Sequence, residues 1–220
     1  MRIVVLALLL SALPAAAQYP DKPLTFFAGY PPGGLVDVVS RLVAEGMKPK
    51  FPKGINVINK PGAAGALAVA EVVRSAPDGY TIVLTPHSAL VIAAQMQNLA
   101  YKTPDDYDTV INVVSYYPMI AVRTESSYKT IQDLVADAKA NPGKLRVGSP
   151  GEGTSSHLNL EEFMRVTGTK MIHVPFQGWA QSSPALLGGH IEAAVAQPGE
   201  PTRSLPGFVF ASATRSWIVL

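Results

Sequence analysis

Residues 24–47, LTFFAGYPPGGLVDVVSRLVAEGM, constrain the fold more than any other stretch of the chain. A run of β-formers at 24–28 enters the turn Tyr30-Pro31-Pro32-Gly33-Gly34. Apolar residues then recur at Leu35, Val38, Val39, Leu42, Val43 and Met47. That spacing is helical, so the order is strand, glycine turn, amphipathic helix. Such a turn leaves the first N–H groups of the helix without intrahelical acceptors, where an anion can take them. Gly33 and Gly34 carry no Cβ, so a ligand can come close to the backbone there. Asp37 falls in the first helical turn, where a carboxylate complements the helix dipole.

The pattern repeats. Residues 55–58 form a short β-run that leads into a second glycine turn at 59–65 and a helix at 67–75. Pro77-Asp78-Gly79 signals a turn. Residues 80–84 read as a strand, 85–88 close it, and 90–96 read as a helix. Short strands of nearly continuous apolar character suit a parallel sheet buried on both faces. Right-handed crossovers then bring the three strand ends to one edge, where ligands bind in open α/β sheets. The loops at 31–34, 61–65 and 85–88 are therefore expected to lie together.

A second alternation follows a polar stretch at 104–108 and strands expected at 110–114 and 119–122. Residues 131–140 read as a helix with Thr130 as its N-cap. A strand at 145–148 opens into a loop at 149–157 that carries Ser149, Gly151, Thr154, Ser155 and His157. A helix at 158–166, a strand at 171–174, a turn at 175–178 holding Phe176 and Gln177, a helix at 184–187 and a strand at 191–196 complete it. The hydroxyls and main-chain amides of the 149–157 loop form a neutral, donor-rich lining suited to a carboxylate. The chain thus divides into lobe one at 18–104 and lobe two at 105–200, with a divergent tail at 201–220.

Composition narrows the function. Of 220 residues, 48% are hydrophobic and 15% charged, and there is no cysteine, which excludes disulfides, thiolate metal sites and a cysteine nucleophile. Arg2, an apolar run at 3–13 and Ala15-Ala16-Ala17 match a secretory signal at 1–17, with cleavage after Ala17. The run is too short to span a bilayer, so no membrane insertion is expected of the chain that begins at Gln18. Loss of Arg2 takes the formal charge from +2 to +1, no footprint for nucleic acid. The four histidines are not at metal-ligand spacings, and neither a P-loop nor G-x-G-x-x-G is present, so no metal or other cofactor is expected. A hydrolase-type enzyme using Ser155 and His157 is the alternative, although 148–151 do not form a G-x-S-x-G elbow.

The ordered loops carry a resemblance. Tyr19-Pro20-Asp21-Lys22-Pro23-Leu24, Pro32-Gly33-Gly34 with Asp37, Asn59-Lys60-Pro61-Gly62-Ala63 and Ala76-Pro77-Asp78-Gly79-Tyr80-Thr81 come first. Ala140-Asn141-Pro142-Gly143-Lys144-Leu145, Gly148-Ser149, Gly153-Thr154-Ser155-Ser156-His157-Leu158, His173-Val174-Pro175-Phe176-Gln177-Gly178 and Leu186-Leu187-Gly188-Gly189 follow. Taken in this order, the chain resembles the bacterial tripartite tricarboxylate transporter substrate-binding proteins, the Bug or TctC-like receptors. The resemblance implies an α/β, two-lobed, periplasmic binding protein type II-like fold. Each lobe would be a mostly parallel sheet flanked by helices. It also implies a periplasmic receptor that closes on a small organic carboxylate and works with membrane transporter subunits. The ligand walls would be Tyr30, Pro32, Gly33, Gly34, Thr85 and Ser88 on one side. Ser149, Gly151, Thr154, Ser155, His157, Phe176 and Gln177 would form the other, with Asp37 supporting its loop. Residues 201–220 follow the family pattern poorly and stop on Trp217-Ile218-Val219-Leu220. From this we expect a truncated product that lacks the C-terminal part of lobe one, or a remnant that binds nothing.

Overall fold

The structure, a computed structural model, describes residues 19–196 and the strand at 208–211. The expected signal sequence and the apolar terminus at Trp217 lie outside the described residues. In chain order the elements are β1 (Leu24–Ala28), α1 (Leu35–Met47), β2 (Ile55–Asn59), α2 (Ala66–Arg74), β3 (Thr81–Leu84), α3 (His87–Leu90) and α4 (Ile92–Met96). Then come β4 (Met119–Arg123), α5 (Ile131–Ala140), β5 (Arg146–Ser149), α6 (Ser155–Thr167), β6 (Ile172–Pro175), α7 (Trp179–Leu187), β7 (Ala193–Ala196) and β8 (Phe208–Ala211).

Lobe one is a three-stranded sheet in the order β2-β1-β3, and both pairings of β1 are parallel. The three strand ends meet at one edge: the Gly29 amide donates to Leu84 O and the Lys60 amide to Ala28 O. Only the central β1 buries alternate residues fully. On the edge strand β2 burial alternates with exposure, and Ile58 is an exposed side chain. One face carries α1, over a cluster of Ala28, Tyr30 and Val36. The other carries α2 to α4, over Ala66, Val69, Ala89 and Tyr101.

Lobe two is a five-stranded sheet in the order β6-β5-β7-β4-β8. Its β6, β5 and β7 are parallel, while β4 runs antiparallel to both β7 and β8. Part of the 201–220 stretch read as a tail is therefore sheet. Helices α5 and α6 cover one face over Leu134, Val147, Leu160 and Val195. Helix α7 covers the other, over Trp179, Leu186, Ile191 and Ala194.

Four expectations are corrected. Helix α1 buries Val36, Ser40 and Ala44, a stripe with spacing of four, and leaves Val38 and Leu42 facing out. The helix expected at 90–96 begins at His87 and breaks into two short pieces at Val91. Helix α7 begins at Trp179 rather than at Pro184, which sits inside it. Pro184 ends one backbone hydrogen bond but does not end the helix, because apolar contacts from Trp179 and Leu186 hold both halves on the sheet. The strand expected at 110–114 does not form. No described strand pairs with it, and Val110 and Ile111 stand exposed. β-propensity alone does not make a strand without a neighbour.

Candidate functional site

The first wall is the turn between β1 and α1. Gly33 takes φ +85, a conformation that disfavours side chains, and its amide donates to Asp37 Oδ2 at 2.9 Å. That amide is thus taken by the protein, contrary to the expectation that it faces an anion. Gly34 is the N-cap of α1 and, having no side chain, supplies no side-chain cap to the first helical N–H groups. Asp37 is 5% exposed. Its Oδ1 accepts from Arg41 Nε at 3.0 Å and from Asn59 Nδ2 at 2.8 Å. Asn59 Nδ2 also reaches Tyr30 O at 2.9 Å, and Arg41 Nη2 reaches Asn59 Oδ1 at 3.0 Å. Burial by itself would raise the Asp37 pKa, but the bonds from Arg41, the Gly33 amide and Asn59 outweigh it and hold the carboxyl below its ordinary value.

The facing wall is the start of α7. Its N-cap Gly178 has φ +99 and no side-chain cap. Its own amide donates to Pro150 O at 3.1 Å, which ties the turn to the end of β5. The two walls touch: a Cβ added to Gly178 would meet Tyr30 Cδ1 at 3.2 Å. A second contact between lobes brings Gly153 against Met96 and Gln97.

Between the walls lies a cleft lined by Tyr30, Pro31, Gly34, Leu35 and Val36 from lobe one. Pro150, Gln177, Gly178, Trp179 and Ala180 line it from lobe two. Each helix contributes its N-cap and its first two residues. Among the described residues, no charged side chain lines the cleft. It is narrow, with ≈ 330 Å³ of space between its walls and the solvent at its mouth. Adjoining it through Leu35, Val36 and Pro86 is a larger cavity of ≈ 850 Å³, also bounded by the 109–116 segment, Thr85, His87 and Ser155.

A family model described as the tripartite tricarboxylate transporter family receptor matches residues 39–201. The chain belongs to this receptor family. A UPF0065 protein from the gbd 5′ region of Cupriavidus necator is 38% identical over 194 residues, covering 84% of this chain and 57% of its own length. A solved structure described as a periplasmic transporter matches with TM-score 0.79 at 31% identity, over 90% of this chain and 68% of that one. MatC from Rhodopseudomonas palustris, solved with malate bound, gives TM-score 0.77 at 24% identity over 90% and 69%, a likeness of fold. The chain spans 52% to 60% of the length of the curated relatives that it matches. The α/β fold expected from the sequence, with helix-flanked lobes, is the fold of these binding proteins.

Set on this receptor fold, the residues singled out from sequence separate into groups. Tyr30, Gly34 and Gln177 line the narrow cleft, where Pro31 rather than Pro32 faces inward. Thr85 and Ser155 border the larger cavity, but both hydroxyl oxygens are buried. Thr85 Oγ1 points toward Gly29 and Gly65. Ser88, Ser149 and Thr154 are buried inside their lobes and line neither cavity. Thr154 caps α6, accepting from the His157 amide and donating to Gly151 O. Thr154 is thus engaged within its own loop, while the buried Ser155 and Ser156 hydroxyls have no hydrogen-bond partner. Phe176 packs against the core under α7. Gly178 and Ala180 also line the cleft, and the sequence hides them because Pro184 looks like the start of a helix that begins at Trp179. The Gln177-Gly178 turn just before an aromatic residue was the available signal.

The hydrolase alternative requires Ser155 to bond His157, and Ser155 Oγ has no hydrogen-bond partner. His157 Nδ1 accepts from the Gly153 amide at 3.3 Å, and its ring stacks on His173 with centroids 4.1 Å apart. The serine–histidine pair that does form, Ser149 with His173 at 2.6 Å, has its serine fully buried. Among the described residues, no cluster of three or more His, Asp or Glu could hold a metal ion, and no helix is long and apolar enough to cross a membrane.

Proposed function

We propose that this chain is an extracytoplasmic solute receptor, or the greater part of one, that takes a small organic carboxylate between its lobes for delivery to membrane transporter subunits. The observation that carries this reading is the meeting of two helix N-termini, at Gly34 and Gly178, across an uncharged cleft. Each N-terminus carries roughly half a positive charge and is capped by a glycine, which has no side chain to accept from its N–H groups. Brought together from two lobes, they oppose one carboxylate with two partial charges in a narrow site between protein walls. Low local dielectric strengthens both interactions.

Family membership supports the receptor role, and the malate-bound relative supports an acid as ligand. The signal-like residues 1–17 support a periplasmic location. The narrowness of the cleft implies that the acid enters with the lobes parted and is held when they close, the hinge mechanism of binding proteins. With no charged side chain in the cleft among the described residues, selectivity among acids falls to the shape of the space beyond the carboxylate.

Calorimetric titration of the purified chain with malate, citrate, glutamate, aspartate, nicotinate and benzoate tests the proposal. Saturable heat with one or more acids, lost when the carboxylate is replaced by its amide, is the expected result. A folded sample that gives no heat with any of them would sink it.

A further inference from the structure

Asp37 poses an electrostatic problem that its neighbours resolve. It sits in the first turn of α1, three residues past Gly34, with a side chain that is 7% exposed and held ionised. A buried negative charge one turn from the proposed carboxylate site should oppose ligand binding. Three partners meet it. The Gly33 amide takes Oδ2, while Arg41 and Asn59 both take Oδ1, and Arg41 in turn holds Asn59. Asn59 closes the assembly by reaching Tyr30 O in the turn itself. The Arg41 side chain is 53% exposed, so the pair adds little to stability in its own right.

We propose that Arg41 and Asn59 are positioning residues for ligand binding. They mask the charge of Asp37 and fix it on the Gly33 amide, so that the amides of Gly34, Leu35 and Val36 face the cleft with their positive potential intact. This inference rests on the reading of the cleft as a carboxylate site. A merely structural role predicts that loss of Arg41 disorders the turn whatever the charge at 37. Charge masking predicts that loss of Arg41 matters only while Asp37 is ionised.

Acetate titration of the ¹⁵N-labelled chain, followed at the backbone amides of Gly34, Leu35 and Val36, separates these roles. In the unsubstituted chain, acetate should shift the three resonances. Arg41→Met, which keeps much of the aliphatic stem, should weaken acetate about five-fold, the scale of one uncompensated charge nearby. Arg41→Lys should restore most of that loss. The double variant Asp37→Asn with Arg41→Met should also bind within about two-fold of the unsubstituted chain, because asparagine still accepts from the Gly33 amide without the charge. Arg41→Met binding acetate normally would overturn the inference and leave the site standing. So would a double variant no better than Arg41→Met. If acetate leaves the three resonances of the unsubstituted chain unmoved, the carboxylate site itself falls, and this inference with it.

Discussion

Gly178 of lobe two packs against the ring of Tyr30 in lobe one, so close that a Cβ at 178 would stand 3.2 Å from Tyr30 Cδ1. Gly178 also has φ +99, which an L side chain adopts only under strain. Both facts bear on closure of the lobes. Gly178→Ala should destabilise the chain by about 1–3 kcal/mol through backbone strain alone. It should also wedge the cleft open, lowering acid affinity beyond what the loss of stability accounts for. Chemical denaturation gives the first quantity. Small-angle scattering with and without bound acid gives the second, as a smaller change in radius on binding.

Gly34 offers the opposite case. It has ordinary extended dihedrals, and the nearest atom to an added Cβ is Pro31 O at 3.8 Å. A carboxylate side chain fits there and is a good N-cap. Gly34→Asp should leave stability unchanged or raise it by a few tenths of a kcal/mol. The same carboxylate would occupy the N–H groups proposed for the ligand, so acid affinity should fall more than ten-fold. Thermal melting and calorimetric titration of one preparation would show both. Retention of acid binding in this variant would mean that the ligand does not sit on α1.

Legibility from sequence followed locality. The glycine turn into α1 could be read because strand, turn and helix are contiguous. The N-cap of α5 was equally plain. Thr130 accepts from the Asp133 amide and Asp133 answers to the Thr130 amide, a reciprocal pair within four residues. The start of α7 was hidden by Pro184, because a proline inside a helix looks from sequence like a proline that begins one. Arg41 resembled any exposed helical ion pair at i+4. Asn59 reaches Asp37 across 22 residues of chain, a contact that no local spacing signals. The 110–114 run had β-formers but needed a partner strand to become one.

His173 makes stability depend on pH. Burial is the largest cause that lowers its pKa, and the stacked His157 adds to it, so the value falls from 6.5 to about 4. In the unfolded chain it titrates near its ordinary value. Between those two values the unfolded state binds more protons, so stability rises with pH there. Stability should therefore be full above about pH 6.5 and fall as the pH drops toward 4. Because the ring is only partly shielded from solvent, the loss expected by pH 5 is about 1–2 kcal/mol. Urea denaturation at pH 7.5 and pH 5, compared with His173→Gln, checks this: the substituted chain should lose that share of the difference.

Gly65 and Thr85 allow strain and crowding to be separated. Gly65 has φ +95, and a Cβ there would lie 2.5 Å from Thr85 Oγ1 and 3.3 Å from Tyr30 Cε2. Gly65→Ala should cost about 1–2 kcal/mol for the left-handed backbone, which no change at a neighbour can relieve. A further 1 kcal/mol or more should come from overpacking against the Thr85 hydroxyl. That hydroxyl has no hydrogen-bond partner, so Thr85→Ala gives up no bond and should cost little itself. In the Thr85→Ala background the cost of Gly65→Ala should shrink by about 1 kcal/mol while the backbone part persists. A double-mutant cycle of denaturant midpoints measures the coupling. A coupling near zero would mean that Thr85 turns away at no cost, and that the contact between the second glycine turn and the end of β3 is slack rather than tightly packed.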